Sequence, residues 1–222
     1  MGTSRSGFAE SQVQLRALNA RAGQKDNSDL LRKAELRRCF CRDVKRANIF
    51  LAGAGFGEMF RHAWCQKARY TLALDTNARK VADFRFHFPG ADVRVADFQT
   101  FQEWPQRHRF QIADFDAFGD LYPGMLHFLD DAPWEDPLDI IVGDSKVLAF
   151  KRSGHVSPQL AHARKRTSFM GARHLDSYME RFVWPWWKRV AMKRGFEIAR
   201  KCYRSNKEKT VAYYALRLVA SS

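Results

Sequence analysis

Asn48-Ile49-Phe50-Leu51-Ala52-Gly53-Ala54-Gly55-Phe56-Gly57 carries an apolar run straight into three alternating glycines. With no polar residue from Ile49 to Ala52, the run suits a strand covered on both faces, as in a parallel sheet. Glycine directly after such a strand permits positive φ and lets backbone amides approach a ligand with no side chain between. The stretch predicts a strand over 48–52, a glycine turn over 53–57 and a helix over 58–66. A dinucleotide-binding fingerprint needs its third glycine where Glu58 stands, so G-x-G-x-x-G is not met.

The same alternation continues downstream. Strand-like runs at 70–74, 92–96, 110–113 and 138–143 follow, the first three closing on Asp75, Asp97 and Asp114. A helix is expected near 78–87, and short apolar runs alternating with helical stretches describe βα units around a parallel sheet. Upstream, 28–46 reads as a helix with Ser28 as N-cap and Leu30, Leu31, Ala34, Leu36 and Phe40 roughly on one side. Residues 1–25 read as a basic arm rich in Gly, Ser, Arg and Gln. The last two runs, 196–203 and 211–219, are joined by Ser205-Asn206-Lys207-Glu208-Lys209, a hairpin-loop composition. A plain doubly wound fold would continue with parallel strands instead. The reading is therefore an α/β fold: a Rossmann-like, seven-stranded, mostly parallel sheet with a C-terminal antiparallel hairpin and helices on both faces. The chain divides into a basic N-terminal arm and helix, 1–47, and a main domain, 48–222.

This order of signals resembles the class I S-adenosylmethionine-dependent methyltransferases, and the G-x-G-x-G spacing resembles their motif I. The family usually has an acidic residue two positions before the first glycine; here that is Leu51. The resemblance implies S-adenosylmethionine as cofactor, with Ala52, Gly53, Gly55, Phe56 and Gly57 around its methionine end. It places Asp75 and Thr76 at the ribose, and Asp97 and Phe98 at the adenine. Asp75 has the chemistry for this, since a carboxylate accepts bonds from both hydroxyls of a diol. Helix N-caps are the competing readings of Asp75 and Asp97.

Asp114-Phe115-Asp116-Ala117-Phe118-Gly119 follows the fourth strand, where the family presents catalytic groups. It resembles the D-x-D-P-F-G motif of tRNA guanine exocyclic-amine dimethyltransferases, with Ala117 in place of proline. Asp114 and Asp116 would orient an exocyclic amine, Asp114 also lying against the cofactor, and Phe118 would stack on an extruded base. A polar turn closing a βα unit is the plainer alternative. No Pro-Cys dipeptide follows the fourth strand, which argues against a cytosine-C5 mechanism with a cysteine nucleophile. Asp144, after the fifth strand, is read as a support for the fourth-strand carboxylates.

The net charge of +14 is unevenly spread. Residues 1–48 carry 11 basic and 5 acidic side chains, 49–145 carry 9 and 15, and 146–210 carry 17 and 4. An acidic middle between basic ends suits a polyanion held around a central site; solvated helices are the alternative. Lys146, Lys151, Arg152, Arg164, Lys165 and Arg166 are the candidate nucleic-acid contacts. In 155–194, basic residues interleave with Tyr178, Trp184, Trp186 and Trp187, which suits phosphate contact with base stacking. Core packing competes there, through Phe182, Val183, Trp186, Val190 and Met192.

No run of 18 apolar residues exists, so no membrane span is expected. Four scattered cysteines suit reduced thiols in a cytoplasmic protein. The expected function is methyl transfer to nucleic acid, RNA more than DNA, at a base amine. An inactive nucleic-acid-binding module, or a methyltransferase for proteins or small molecules, are the alternatives. The N-terminal segment is a candidate contact for a protein partner.

Overall fold

The computed structural model describes residues 29–117, 119–161 and 173–221. One sheet is built from β1 (Ala47–Ala52), β2 (Ala68–Asp75), β3 (Asp92–Val95), β4 (Phe110–Phe115), β5 (Trp134–Asp144), β6 (Phe196–Ser205) and β7 (Ala212–Ala220). Its order is β3-β2-β1-β4-β5-β7-β6. β1 to β5 are parallel, β7 runs antiparallel to β5, and β6 antiparallel to β7. The seven-stranded, mostly parallel sheet with its terminal hairpin is the one the sequence predicts. Strand order reverses between β1 and β4, which opens a crevice beyond their carboxyl ends.

The sheet separates two cores. Ile49, Leu51, Ala73, Ile112, Ile141, Tyr213 and Ala215 face one way, toward α1 (Leu30–Phe40), a π-helical turn at Phe60–Trp64 and α2 (Ala78–His87). Phe50, Leu74, Ala113, Phe115, Ile140, Val142, Tyr214 and Leu216 face the other way. That side is covered by α3 (Tyr122–Asp131), α4 (Lys146–Ser153), α5 (Pro158–Ala161), α6 (Leu175–Tyr178), a second π-turn at Met179–Val183, and α7 (Trp184–Lys193). Alternate residues of the central strands are buried on both sides, hence the unbroken apolar runs. Among the described residues no helix is long and apolar enough to cross a membrane.

Several boundaries differ from the sequence reading for identifiable reasons. α1 stops at Phe40 because Lys67 reaches across and donates to the Cys41 and Val44 carbonyls at 2.7 and 2.8 Å. The residue read as its N-cap, Ser28, lies outside the described residues. β4 runs two residues further than expected, to Phe115, since Asp114 and Phe115 pair with both neighbours. β5 starts at Trp134, paired with Phe110, and a register shift before Ile112 absorbs the residues between. In α7, Trp184, Trp186, Trp187 and, upstream, Tyr178 are all buried, so they pack in the core and are not stacking platforms. Met192, read as core, points to solvent.

Gly124 shows how tightly α3 sits on the sheet. A Cβ there would collide with the Phe98 ring. Gly124→Ala gains at most about 1 kcal/mol of helix propensity, whereas overpacking a core costs about 1–3 kcal/mol. Net destabilisation is expected, read as a lower urea midpoint; a raised midpoint would show that the ring yields freely.

Candidate active site

The three glycines after β1 all have positive φ, +74° at Gly53, +58° at Gly55 and +80° at Gly57. Each has a different reason. A Cβ on Gly53 would lie 2.6 Å from Ala117, so the segment after β4 passes directly against it. One on Gly57 would press on Phe84 and Phe88 at 3.1 Å, so this glycine lets α2 approach. Gly55 has open space above it, the condition for a ligand to approach its backbone. Phe56 is half-buried, with the Lys80 ammonium 5.8 Å from its ring centroid. Ala52 is buried, and its carbonyl accepts from the Asp116 amide at 3.0 Å.

Asp75 ends β2 beside this loop. Its Oδ2 accepts from the Gly55 amide at 2.8 Å and its Oδ1 from Asn77 N at 2.9 Å. It is not the cap of α2; Asn77 fills that position, accepting from the Arg79 and Lys80 amides. Each Asp75 oxygen has a further lone pair for a ligand hydroxyl, and Thr76 next to it is exposed. Asp97 is exposed, with Oδ1 closing a local turn on Gln99 N at 2.9 Å. Phe98 differs from its expected place as an adenine contact. It turns inward, 7% exposed, into the space that Gly124 leaves under α3.

The largest correction concerns Asp114. It lies inside β4, 2% exposed, between Leu51 of β1 and Ile141 of β5. Arg37 of α1 grips it with Nε and Nη2, both at 2.6 Å, and Trp64 Nε1 donates at 2.7 Å. Those bonds and its burial remove it from contact with substrate or cofactor. Arg37 itself is fully buried. Desolvation alone would lower its pKa, but the charges of Asp114 and Asp116 and the Asp114 bond outweigh that and raise it. The sequence reading missed Arg37 although the signal was there. It stands three residues from both Ala34 and Phe40, on the inner stripe of α1.

Asp116 lies just past β4, over Gly143, where any Cβ would collide with its Oδ1. Lys33 Nζ donates to both its oxygens at 2.9 and 3.0 Å, and Arg37 Nη2 is 3.5 Å away. Burial would raise the Asp116 carboxyl; Lys33 and Arg37 reverse this and hold it below the usual carboxylate range. Asp116 is thus a preformed, ionised acceptor at the mouth of the crevice. Asp144 does not support these carboxylates. It faces the opposite core, accepting from Tyr122 and Tyr178 hydroxyls, each at 2.7 Å, and from Lys146 N at 2.8 Å. Burial raises its pKa, and the two tyrosine bonds offset this only in part.

Phe118 and Arg164, Lys165 and Arg166 lie outside the described residues. Lys146 begins α4 and Lys151 and Arg152 end it. Lys151 Nζ reaches the Lys209 carbonyl of the β6–β7 turn at 3.3 Å, and Arg173 donates to the Arg152 carbonyl at 3.1 Å. The four cysteines are free thiols.

No family model matches the chain, and no curated protein matches it. Solved structures do. The chain superposes on the 1,6-didemethyltoxoflavin-N1-methyltransferase of Burkholderia thailandensis, solved with bound 1,6-didemethyltoxoflavin and S-adenosylhomocysteine. That match has TM-score 0.55 and 11% identity over 100% of this chain and 92% of that one. Ribosomal protein L11 methylase of Lactobacillus delbrueckii subsp. bulgaricus gives TM-score 0.53 and 12% identity, over 89% and 81%. Magnesium protoporphyrin IX methyltransferase of Synechocystis PCC 6803, with bound S-adenosylhomocysteine, gives 0.52 and 13%, over 86% and 83%. The chain has the class I, Rossmann-like methyltransferase fold.

Two measurements test the α1 contacts. Arg37→Ala strands a buried carboxylate and should cost about 3–5 kcal/mol in urea unfolding. Arg37→Met with Asp114→Leu should recover much of that, leaving the Trp64 indole N–H unpaired at about 1–3 kcal/mol. A double variant no better than the single would refute the ion-pair account. Lys33→Met tests Asp116. A carboxyl held low stabilises the fold above its unfolded-state pKa, and that stability is lost as pH falls through the folded value. The gap in urea midpoint between wild type and Lys33→Met should therefore narrow below about pH 4; a constant gap would mean that the pair is not coupled to folding.

Proposed function

We propose that the chain is an S-adenosylmethionine-dependent methyltransferase acting on nucleic acid, RNA in preference to DNA, at a base amine. The observation that carries this is the placing of charge around the crevice. Lys146, Lys151, Arg152, Arg173, Lys207 and Lys209 belong to segments at the carboxyl end of the sheet, which also holds the glycine loop and Asp75. A polyanion is the substrate such a rim attracts. The fold alone does not choose a substrate: the matched proteins are named for a ribosomal protein, a heterocycle and a porphyrin.

The residues present fit the cofactor. Gly55 leaves open space beside its backbone and Asp75 stands next to it with lone pairs to spare. In this reading the loop at 53–57 holds the methionine end, Asp75 the ribose hydroxyls, and Asp97 the adenine amine. When bound, S-adenosylmethionine supplies an electrophilic methyl group. The chain's own part is alignment. Asp116, kept ionised by Lys33, accepts a hydrogen bond from the exocyclic amine and directs its lone pair into the crevice. Asp114 has no direct part and acts through Arg37. The likeness of 114–119 to the guanine-amine motif agrees with an amine target, with Asp116 its surviving carboxylate.

One observation favours the second reading, a binding module without activity: α1 engages both carboxylates at the end of β4. Calorimetric titration with S-adenosylmethionine separates the two. The methyltransferase reading expects binding that Asp75→Ala weakens about 10- to 100-fold, the worth of charged hydrogen bonds at about 1.5–3 kcal/mol. It also expects tritium from labelled methyl groups to enter RNA. No cofactor binding, with salt-sensitive RNA binding retained, would establish the module instead.

A further inference from the structure

At the carboxyl end of β5, Asp144 lies opposite Ala212 of β7, and Ser205 of β6 pairs with the same Ala212. The turn at 206–211 therefore projects from the end of the sheet that carries the crevice. One buried side chain shapes it. Asn206 is 7% exposed; its Oδ1 accepts from the Thr210 and Val211 amides at 2.6 and 3.0 Å. Its Nδ2 donates to Glu208 Oε2 at 3.1 Å and to Thr210 Oγ1 at 2.8 Å. The Lys209 amide donates to the Asn206 carbonyl at 3.0 Å. This is an order of internal bonding that a passive linker does not need.

Two further features set the turn apart. Lys209 has φ +53°, the only positive value at a non-glycine position among the described residues, and a left-handed lysine costs about 1 kcal/mol or more. Its carbonyl is also tied to Lys151 of α4. The result holds Lys207 and Lys209 outward. Both are exposed, and neither makes a salt bridge among the described residues. Glu208, the one acid of the turn, is occupied by Asn206. The Lys151 ammonium adds a third positive charge at the turn's backbone. Like charges held together oppose folding unless a counter-charge arrives.

We propose that the β6–β7 turn is a rigid phosphate-gripping finger. Lys207 and Lys209, with Lys151 behind them, hold backbone phosphates of the strand whose base enters the crevice and so set its register. Lysine ammonium groups act as point charges that contact phosphates without reading bases, the division of labour of positioning contacts. The proposal rests on the nucleic-acid methyltransferase reading above.

The test is fluorescence anisotropy of the full chain with a fluorescein-labelled single-stranded RNA of mixed sequence, about 20 nucleotides long, across a salt series. Each phosphate contact on single strands contributes about 0.7 to the slope of log affinity against log salt. Lys207→Gln with Lys209→Gln should reduce the slope by about 1.4 and leave S-adenosylmethionine binding unchanged. Asn206→Ala keeps every charge, so its slope should stay while affinity drops several-fold as the finger loosens. A double variant with wild-type slope and affinity, or Asn206→Ala binding as wild type, overturns the finger while leaving the methyltransferase reading in place. Wild-type protein that binds S-adenosylmethionine but not this RNA overturns the finger and the nucleic-acid substrate together.

Discussion

One buried carboxylate organises the site end of this molecule. Asp114 sits mid-sheet with Arg37 gripping it from α1 and Trp64 donating from the π-turn after the glycine loop. Burying both charges costs several kcal/mol per ion, so such a pair adds little net stability over an apolar substitute. What it does supply is geometry. The guanidinium fork fixes the rotation and height of α1 against β4, and the indole N–H fixes the π-turn against the same atom. With α1 locked, Lys33 falls one turn away over Asp116. The carboxylate that meets solvent is placed by the carboxylate that does not.

The opposite face handles the same problem with neutral donors. Asp144 ends β5 as deeply buried as Asp114, yet it is met by two tyrosine hydroxyls and an amide. Without a cation its pKa rises, so its charge is held less firmly than that of Asp116. The crevice thus has two sides of different electrostatic character. On the α1 side, cations keep an acid ionised at the mouth; on the α3 side, aromatic hydroxyls brace the end of β5. Among the described carboxylates at the ends of β4 and β5, Asp116 is the one both held by cations and partly open to solvent.

Most of the fold was legible because parallel strands covered on both faces read as apolar runs, and because glycines fall where the backbone needs positive φ. The hairpin showed in the polar turn between the last two runs. The site was less legible, and one boundary explains much of the failure. Ending the fourth strand at Ala113 made Asp114 a loop residue; two more paired residues make it an interior one. Phe98 was misplaced because nothing local reports the hole that Gly124 leaves in a helix far along the chain. The α7 tryptophans, flanked by lysines and arginines, looked like a binding surface since composition does not tell which side of a helix faces the sheet. The competing core-packing reading assigned Val183, Trp186 and Val190 correctly, though not Met192.

The surplus of positive charge takes on meaning only after the internal pairs are removed. Arg37, Arg217, Arg94, Arg194 and Arg204 are all matched to nearby carboxylates. The exposed cations left over include two groups, one at the β6–β7 turn and α4, the other on the outer face of α7 at Lys188, Arg189 and Lys193. Both raise the local concentration of a polyanion, since attraction falls off only over about 10 Å at ordinary salt. They differ in stiffness. The α7 lysines are long side chains on an open surface, free to follow any phosphate. The turn has its backbone fixed by Asn206 and its tip tied to α4. Attraction needs charge alone, but bringing one base to one acceptor needs charge that does not move. Under the nucleic-acid reading proposed above, the α7 face would serve capture, and the turn alignment with Asp116.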